Sequence, residues 1–229
     1  MLRPIIWLAT IALIALGVSA CGGGAGGEQQ QQQPKARPLP DTSQDLRPGE
    51  YRTEAFKPAL SFTVAKGWAL ECPAGEDNVC LLPPGELTRF KFLNVTEIYK
   101  PSKLIDMSSE TAPLPQDLVG WFEQHPYLQT DKPQPVTVGG IKGQQIDVVV
   151  GDLPKDYPEG LCGGFDCVQL SQFNFGDWAV EEGSKYRLTI LEDVKGQRVI
   201  IDFGSLAAKF DESWPEAEKV LETVEWEGA

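Results

Sequence analysis

The chain has 229 residues and carries 33 Asp and Glu against 20 Lys and Arg, a formal charge of −13. An acidic surface is repelled by phosphate backbones and anionic lipid heads, which excludes nucleic acid as a partner. With 41% hydrophobic residues, six Trp and ten Phe, there is enough apolar material for one core of ordinary size.

The N-terminal segment has the three parts of an export signal. Arg3 is a minimal positive region, Ile5 to Gly17 is apolar, and the small-residue stretch Val18-Ser19-Ala20-Cys21 follows. That tetrapeptide resembles the lipobox of bacterial lipoproteins, where small residues precede a cysteine that is lipidated and becomes the first residue after cleavage. The resemblance implies cleavage between Ala20 and Cys21 and loss of residues 1–20. It also implies a covalent lipid on Cys21, with no other cofactor, and anchoring to the extracytoplasmic face of the cell membrane. An uncleaved spanning helix is the competing reading. The apolar run from Ile5 to Ala20 is about 16 residues, short of the roughly 20 that span a bilayer. Residues 22–48 are rich in Gly, Gln and Pro with almost no apolar anchors, so residues 21–48 are expected to be a lipidated cysteine and a disordered tether. Residues 49–229 then form a single globular domain.

Within that domain, Leu60–Val64 alternates and ends at Gly67, which predicts a strand. Trp68–Glu71 and Val79–Leu82 follow as strands around Pro73-Ala-Gly75. Arg89–Tyr99 is a longer strand, and the parity change between Phe92 and Val95 predicts a bulge. Residues 100–114 are a loop. Pro115–His125 is the first helix, with Leu118, Trp121 and Phe122 on one face and Pro126 as its stop. Val136–Val138 and Ile141–Val150 form a hairpin across Gly139-Gly140. Val168–Phe173 alternates, and Tyr186–Val194 with Arg198–Phe203 makes a second hairpin across Lys195-Gly196. A closing helix spans about Trp214 to Thr223, where Ser213 and Glu216 match a capping box. Strands, helix, strands, helix with hairpin connections predict an α+β domain, an antiparallel β-sheet flanked by a few helices.

Several segments carry a resemblance: Pro48-Gly-Glu-Tyr51, Gly67-Trp68, Asp117-Leu-Val-Gly-Trp121, Pro135-Val-Thr-Val-Gly-Gly140, Val194-Lys-Gly-Gln-Arg-Val199 and Val220–Trp226. Together they are similar to uncharacterised extracytoplasmic domains of high-GC Gram-positive bacteria and, more distantly, to the PsbP-like fold. The resemblance speaks for fold and carries over no functional residue.

Setting Cys21 aside leaves Cys72, Cys80, Cys162 and Cys167, an even number in an exported chain, which predicts two disulfides. Of the three pairings, Cys72–Cys80 and Cys162–Cys167 are favoured because each brackets a Gly-containing segment. A four-thiolate zinc site fits poorly, since the spacings differ from the C-x2-C knuckle.

No catalytic constellation is visible. The lone histidine, His125, ends a helix before Pro126, where a capping or packing role is expected. There is no nucleophile elbow, H-E-x-x-H or phosphate-binding glycine loop, and Asp202-Phe203-Gly204 is a coincidental match to a kinase tripeptide. The crowded carboxylates are expected to be a solvated acidic face. Two places stand out as contact surfaces. Trp178 sits in an expected loop beside acidic residues, and Phe165 would be presented by the Cys162–Cys167 loop. The expected function is a membrane-anchored binding or accessory module of the cell envelope, acting on an envelope protein partner and not as an enzyme. Carriage of a lipid or small apolar ligand is the alternative.

Overall fold

The computed structural model describes residues 36–85, 87–102, 110–159, 162, 164–173 and 176–227. The signal segment, Cys21, residues 22–35 of the expected tether and residues 103–109 of the 100–114 loop lie outside the described residues. In chain order the strands are β1 (Arg37–Pro38), β2 (Gln44–Asp45), β3 (Gly49–Arg52), β4 (Leu60–Val64), β5 (Ala69–Cys72) and β6 (Asn78–Leu82). Next come β7 (Arg89–Leu93), β8 (Glu97–Tyr99), β9 (Thr111–Pro113), helix α1 (Leu118–Glu123), β10 (Leu128–Thr130), β11 (Gln134–Val138) and β12 (Ile141–Val150). The chain closes with β13 (Cys167–Phe173), β14 (Gly176–Glu181), β15 (Ser184–Val194), β16 (Gln197–Leu206), helix α2 (Phe210–Leu221) and β17 (Glu225–Trp226).

Nine strands form the principal sheet, in the order β10-β12-β15-β16-β7-β6-β5-β2, with β11 also paired to β12. All of its pairings are antiparallel. A four-stranded sheet, β1-β3-β4-β17, and the hairpins β8–β9 and β13–β14 make up the rest.

Side-chain alternation turns this sheet into two buried surfaces. Along β16, Val199, Ile201 and Phe203 belong to one core, while Ile200 belongs to the other. Along β15, Leu188 and Ile190 point into the second core and Leu191 into the first. The first core is covered by the small sheet and α2. Phe62 stacks on Phe92 at 5.7 Å, Trp68 meets Phe90 edge-on at 5.6 Å, and Phe210 meets Phe203 at 5.4 Å. The second core is covered by α1 and the β13–β14 hairpin, with Phe122 against Trp178 at 5.9 Å.

The expected α+β, PsbP-like architecture is overturned. Of the described residues 49% are strand and 12% helical, with two α-helices and several sheets. The reason is that much of the cover on each face of the principal sheet is itself β-structure: β3–β4 on one side, β13–β14 on the other. Helices contribute only a short α1 and the 12-residue α2.

Other local expectations shift for identifiable reasons. The long strand over 89–99 is broken into β7 and β8 at Asn94–Thr96, where the Asn94 side-chain amide donates to Lys57 O and Gln197 Oε1 while its backbone N–H donates to Asp77 O. Helix α2 begins four residues earlier than predicted, because a 3-10 turn at Ala207–Lys209 leads straight into it. Ser213 is therefore inside the helix, its hydroxyl donating to Lys209 O at 3.0 Å, and it is not an N-cap. The domain also starts upstream of Gly49. Arg37 donates to Arg47 O and Pro48 O and lies over the Tyr51 ring, while Leu46 is buried in the first core. Together with the pairing of β1 to β3 and of β2 to β5, these contacts tie residues 36–48, expected in the tether, to the domain.

Two glycines are required by close approach. Gly139, in the β11–β12 turn with φ of 55°, has the Trp226 indole 2.7 Å from where a Cβ would sit. Gly204 on β16 faces Tyr186 of β15, whose ring would lie 2.5 Å from a Cβ. Gly204→Ala is expected to lose about 1–3 kcal/mol of unfolding free energy through this overpacking. Urea denaturation of the variant at unchanged far-ultraviolet circular dichroism checks it; an unchanged midpoint would show that Tyr186 can move aside.

Candidate functional site

On the second face of the principal sheet, strand register sets up a row of directly opposed residues. Cys72 of β5 pairs Cys80 of β6, Cys80 pairs Lys91 of β7, Lys91 pairs Asp202 of β16, and Asp202 pairs Leu188 of β15. The row passes from polar to apolar along its length. A second row runs beside it through Arg89, Gly204, Tyr186 and Val148. Strand β14 places Asp177 and Glu181 over the polar half, and together these groups enclose a cleft of about 450 Å³ that Glu71 and Cys162 also line.

Asp202 is the unusual member. It is 3% exposed, and one carboxylate oxygen, Oδ2, accepts a hydrogen bond from Trp178 Nε1 at 3.1 Å. The other, Oδ1, is buried without a hydrogen-bond partner. Burial pushes its pKa up to about 6, while Lys91 and the Trp178 hydrogen bond pull the other way. Lys91 makes no ion pair among the described residues, and Arg89 is engaged by Glu181. The buried Tyr186 hydroxyl accepts from the Glu181 backbone N–H at 3.4 Å, and burial holds its proton well above the ordinary phenol range.

The four cysteines of the described residues gather at or near this cleft. Cys162 and Cys167 are bridged, with Cα atoms 6.0 Å apart. Cys72 and Cys80 stand as buried thiols opposite each other, so the second expected bridge is not formed. A hydrogen bond between the two sulfurs lowers the Cys72 pKa and raises that of Cys80, burial adding to the latter. Among the described residues no group of three or more His, Cys, Asp or Glu is placed to hold a metal ion.

The two expected contact residues part company. Phe165 is 53% exposed, held out by reciprocal backbone hydrogen bonds between Cys162 and Phe165 inside the bridged loop. Trp178 is 1% exposed and therefore no contact surface. The stretch predicted as its loop is strand β14, whose alternation puts Trp178 and Val180 inward and Asp177 outward. Of the two roles expected of His125, capping or packing, the structure shows packing. The imidazole is buried between Trp121 at 4.7 Å and Tyr127 at 5.8 Å, and desolvation lowers its pKa to about 4. The residue that sequence reasoning passed over is Asp202, set aside with a coincidental tripeptide. Its signal was a charge at an inward position of the apolar run Val199–Phe203.

No protein-family model matches the chain, and no curated protein matches it. A search of solved structures returns the crystal structure of LpqN, a protein involved in cell envelope biogenesis of Mycobacterium tuberculosis. The two are 10% identical, with a TM-score of 0.35 over 80% of this chain and 90% of that one. A superposition this loose assigns neither activity nor ligand. No helix among the described residues is long and apolar enough to cross a membrane.

Because the folded pKa of Asp202 lies above the carboxylate's ordinary 3.8, the folded state binds a proton more readily than the unfolded chain. Its contribution is fully present below pH 3.8 and is lost as pH rises through about 6. His125 acts in the opposite sense, its depressed pKa removing stability as pH falls below 6.5 toward 4. Comparing variants isolates the aspartate. Asp202→Asn keeps an acceptor for Trp178 and is expected to gain about 3 kcal/mol at pH 7.5, the cost of the shift from 3.8 to about 6, shrinking to nearly nothing near pH 4. Denaturant titrations at the two pH values measure it, and a loss at pH 7.5 would mean that the charge is compensated.

Proposed function

We propose that this chain is a membrane-anchored extracytoplasmic lipoprotein, a binding or accessory module of the cell envelope and not an enzyme. The observation that carries the reading is Val18-Ser19-Ala20-Cys21 closing an apolar run too short to span. The Cys162–Cys167 bridge supports it, because such bridges persist in oxidising compartments. An attached lipid on Cys21 holds the domain at the membrane by burying acyl chain, at about 0.8 kcal/mol per methylene. The exposed Phe165, on a loop pre-ordered by the bridge, offers a ready aromatic anchor for an envelope protein. Carriage of an apolar ligand draws less support, since the cleft beneath β14 is walled by charged groups.

The anchor is tested by feeding cells an alkyne-tagged palmitate. The wild-type chain is expected to take up the label and partition into the detergent phase, and Cys21→Ser to do neither. Label retained in Cys21→Ser would remove the lipoprotein reading. For the contact role, in-cell crosslinking of wild type and Phe165→Ser is expected to differ by a band that the variant lacks, and identical patterns would discard Phe165 as the anchor.

A further inference from the structure

The cleft beneath β14 combines three features that point beyond packing. First, the Asp202 carboxylate at its floor is almost wholly buried, with Trp178 holding one oxygen and nothing holding the other. Buried polar atoms in folded proteins are nearly always paired, and an orphaned one is the mark of a missing partner. Second, the charge around it is lopsided. Glu71, Asp177, Glu181 and Asp202 face Arg89 and Lys91, and Arg89 is already engaged by Glu181. Third, Asp202 has a candidate partner inside the chain that it does not use. Lys91 stands directly opposite on β7, yet no ion pair joins the two.

A buried charge that raises its own pKa destabilises the fold, and replacing it with a neutral amide is the easy remedy. A carboxylate with one unpartnered oxygen at the floor of a cleft therefore points to a ligand group that completes it. That group must be small enough for a 450 Å³ space, must carry positive charge, and must donate hydrogen bonds to a carboxylate oxygen. No cluster of described residues offers a coordination shell for a metal ion. We infer that the cleft is a subsite for a primary ammonium group, which donates to Asp202 Oδ1 at the floor and lies within the field of Glu71 and Asp177. The ammonium belongs either to a small amine or to a lysine side chain of a partner protein, and Lys91 is its intramolecular competitor. The inference gives the proposed binding module a ligand class and rests on that reading, while the lipid anchor is tested separately and stands or falls alone.

Trp178 supplies the readout, because its indole N–H is bonded to the same carboxylate. The detergent-solubilised full chain, labelled with nitrogen-15 in its tryptophans, is titrated at pH 7.5 with three probes. These are n-butylamine, Nα-acetyl-lysine amide, and tetramethylammonium, which has the charge but no N–H donor. The Trp178 indole resonance is expected to shift saturably with a primary amine. The apparent affinity should fall by about tenfold or more for tetramethylammonium and in Asp202→Asn, the size expected for one charged hydrogen bond. Lys91→Met removes the competitor and should tighten binding several-fold, which a merely structural role for Asp202 would not produce. Saturation with butylamine alone identifies a free amine, and saturation with the lysine derivative identifies a partner's side chain. No shift with either amine, an equal response to tetramethylammonium, or unchanged binding in Asp202→Asn overturns the proposal. Folding of each variant is read in the same spectra from the remaining indole resonances.

Discussion

Everything in this domain depends on the hairpin of β15 and β16 being apolar on both faces. From Tyr186 to Leu191 and from Val199 to Phe203 almost every side chain is buried, whichever way it points. Fully burying each large apolar side chain contributes roughly 1.5–3 kcal/mol, and that is realised only if both faces are covered. The covers come from distant parts of the chain. Its beginning and end, β3–β4 with α2 and β17, close one side; its middle, α1 with β13–β14, closes the other. Arg187 helps to seat α2, its guanidinium 4.5 Å from the centre of the Trp214 ring while it also donates to Asp147 at 2.6 and 2.7 Å. A sheet that must be covered twice forces long-range order onto a chain with little helix.

The cleft exists because the second cover gives out before the sheet does. Over β12, β15 and β16 the face is mostly apolar and buried. Over β5, β6 and β7 the same row carries Cys72, Cys80 and Lys91. Asp202 lies at the seam, deep enough under Trp178 for its charge to be costly and close enough to the polar half to line open space. Tyr186 folds over Gly204 beside it, which explains why a glycine interrupts an otherwise branched strand. Packing and polarity are therefore set by the same few cross-strand neighbours.

Much of the local structure was legible in the sequence. Leu60–Val64 is the strand that its alternation predicts, and Gly139-Gly140 and Lys195-Gly196 sit at the hairpin turns that they announce. What failed was what local pattern cannot encode. Asp177-Trp178 looked like a loop because flanking glycine and acidic residues mask a six-residue strand. The fold class was misjudged because periodicity shows which residues face a core but not whether strands or helices lie across it. Asp202 became meaningful only once register set it opposite Lys91 and beneath Trp178. Cys72 and Cys80 were expected to be near each other, and their direct opposition across β5–β6 follows the short turn between those strands.

The distribution of strand lengths has a colloidal consequence. The sheet is long at its centre, where β12, β15 and β16 run for ten or eleven residues, and tapers to a two-residue β2 on one side and a three-residue β10 on the other. The remaining outer strand, β11, carries Pro135, which has no N–H to offer a newcomer. A neighbouring copy that approaches the principal sheet therefore meets margins too short or too interrupted to continue its ladder. Among the described residues the principal sheet has no long margin on which a second copy could add a strand, and the −13 charge of the chain adds mutual repulsion to that geometric protection.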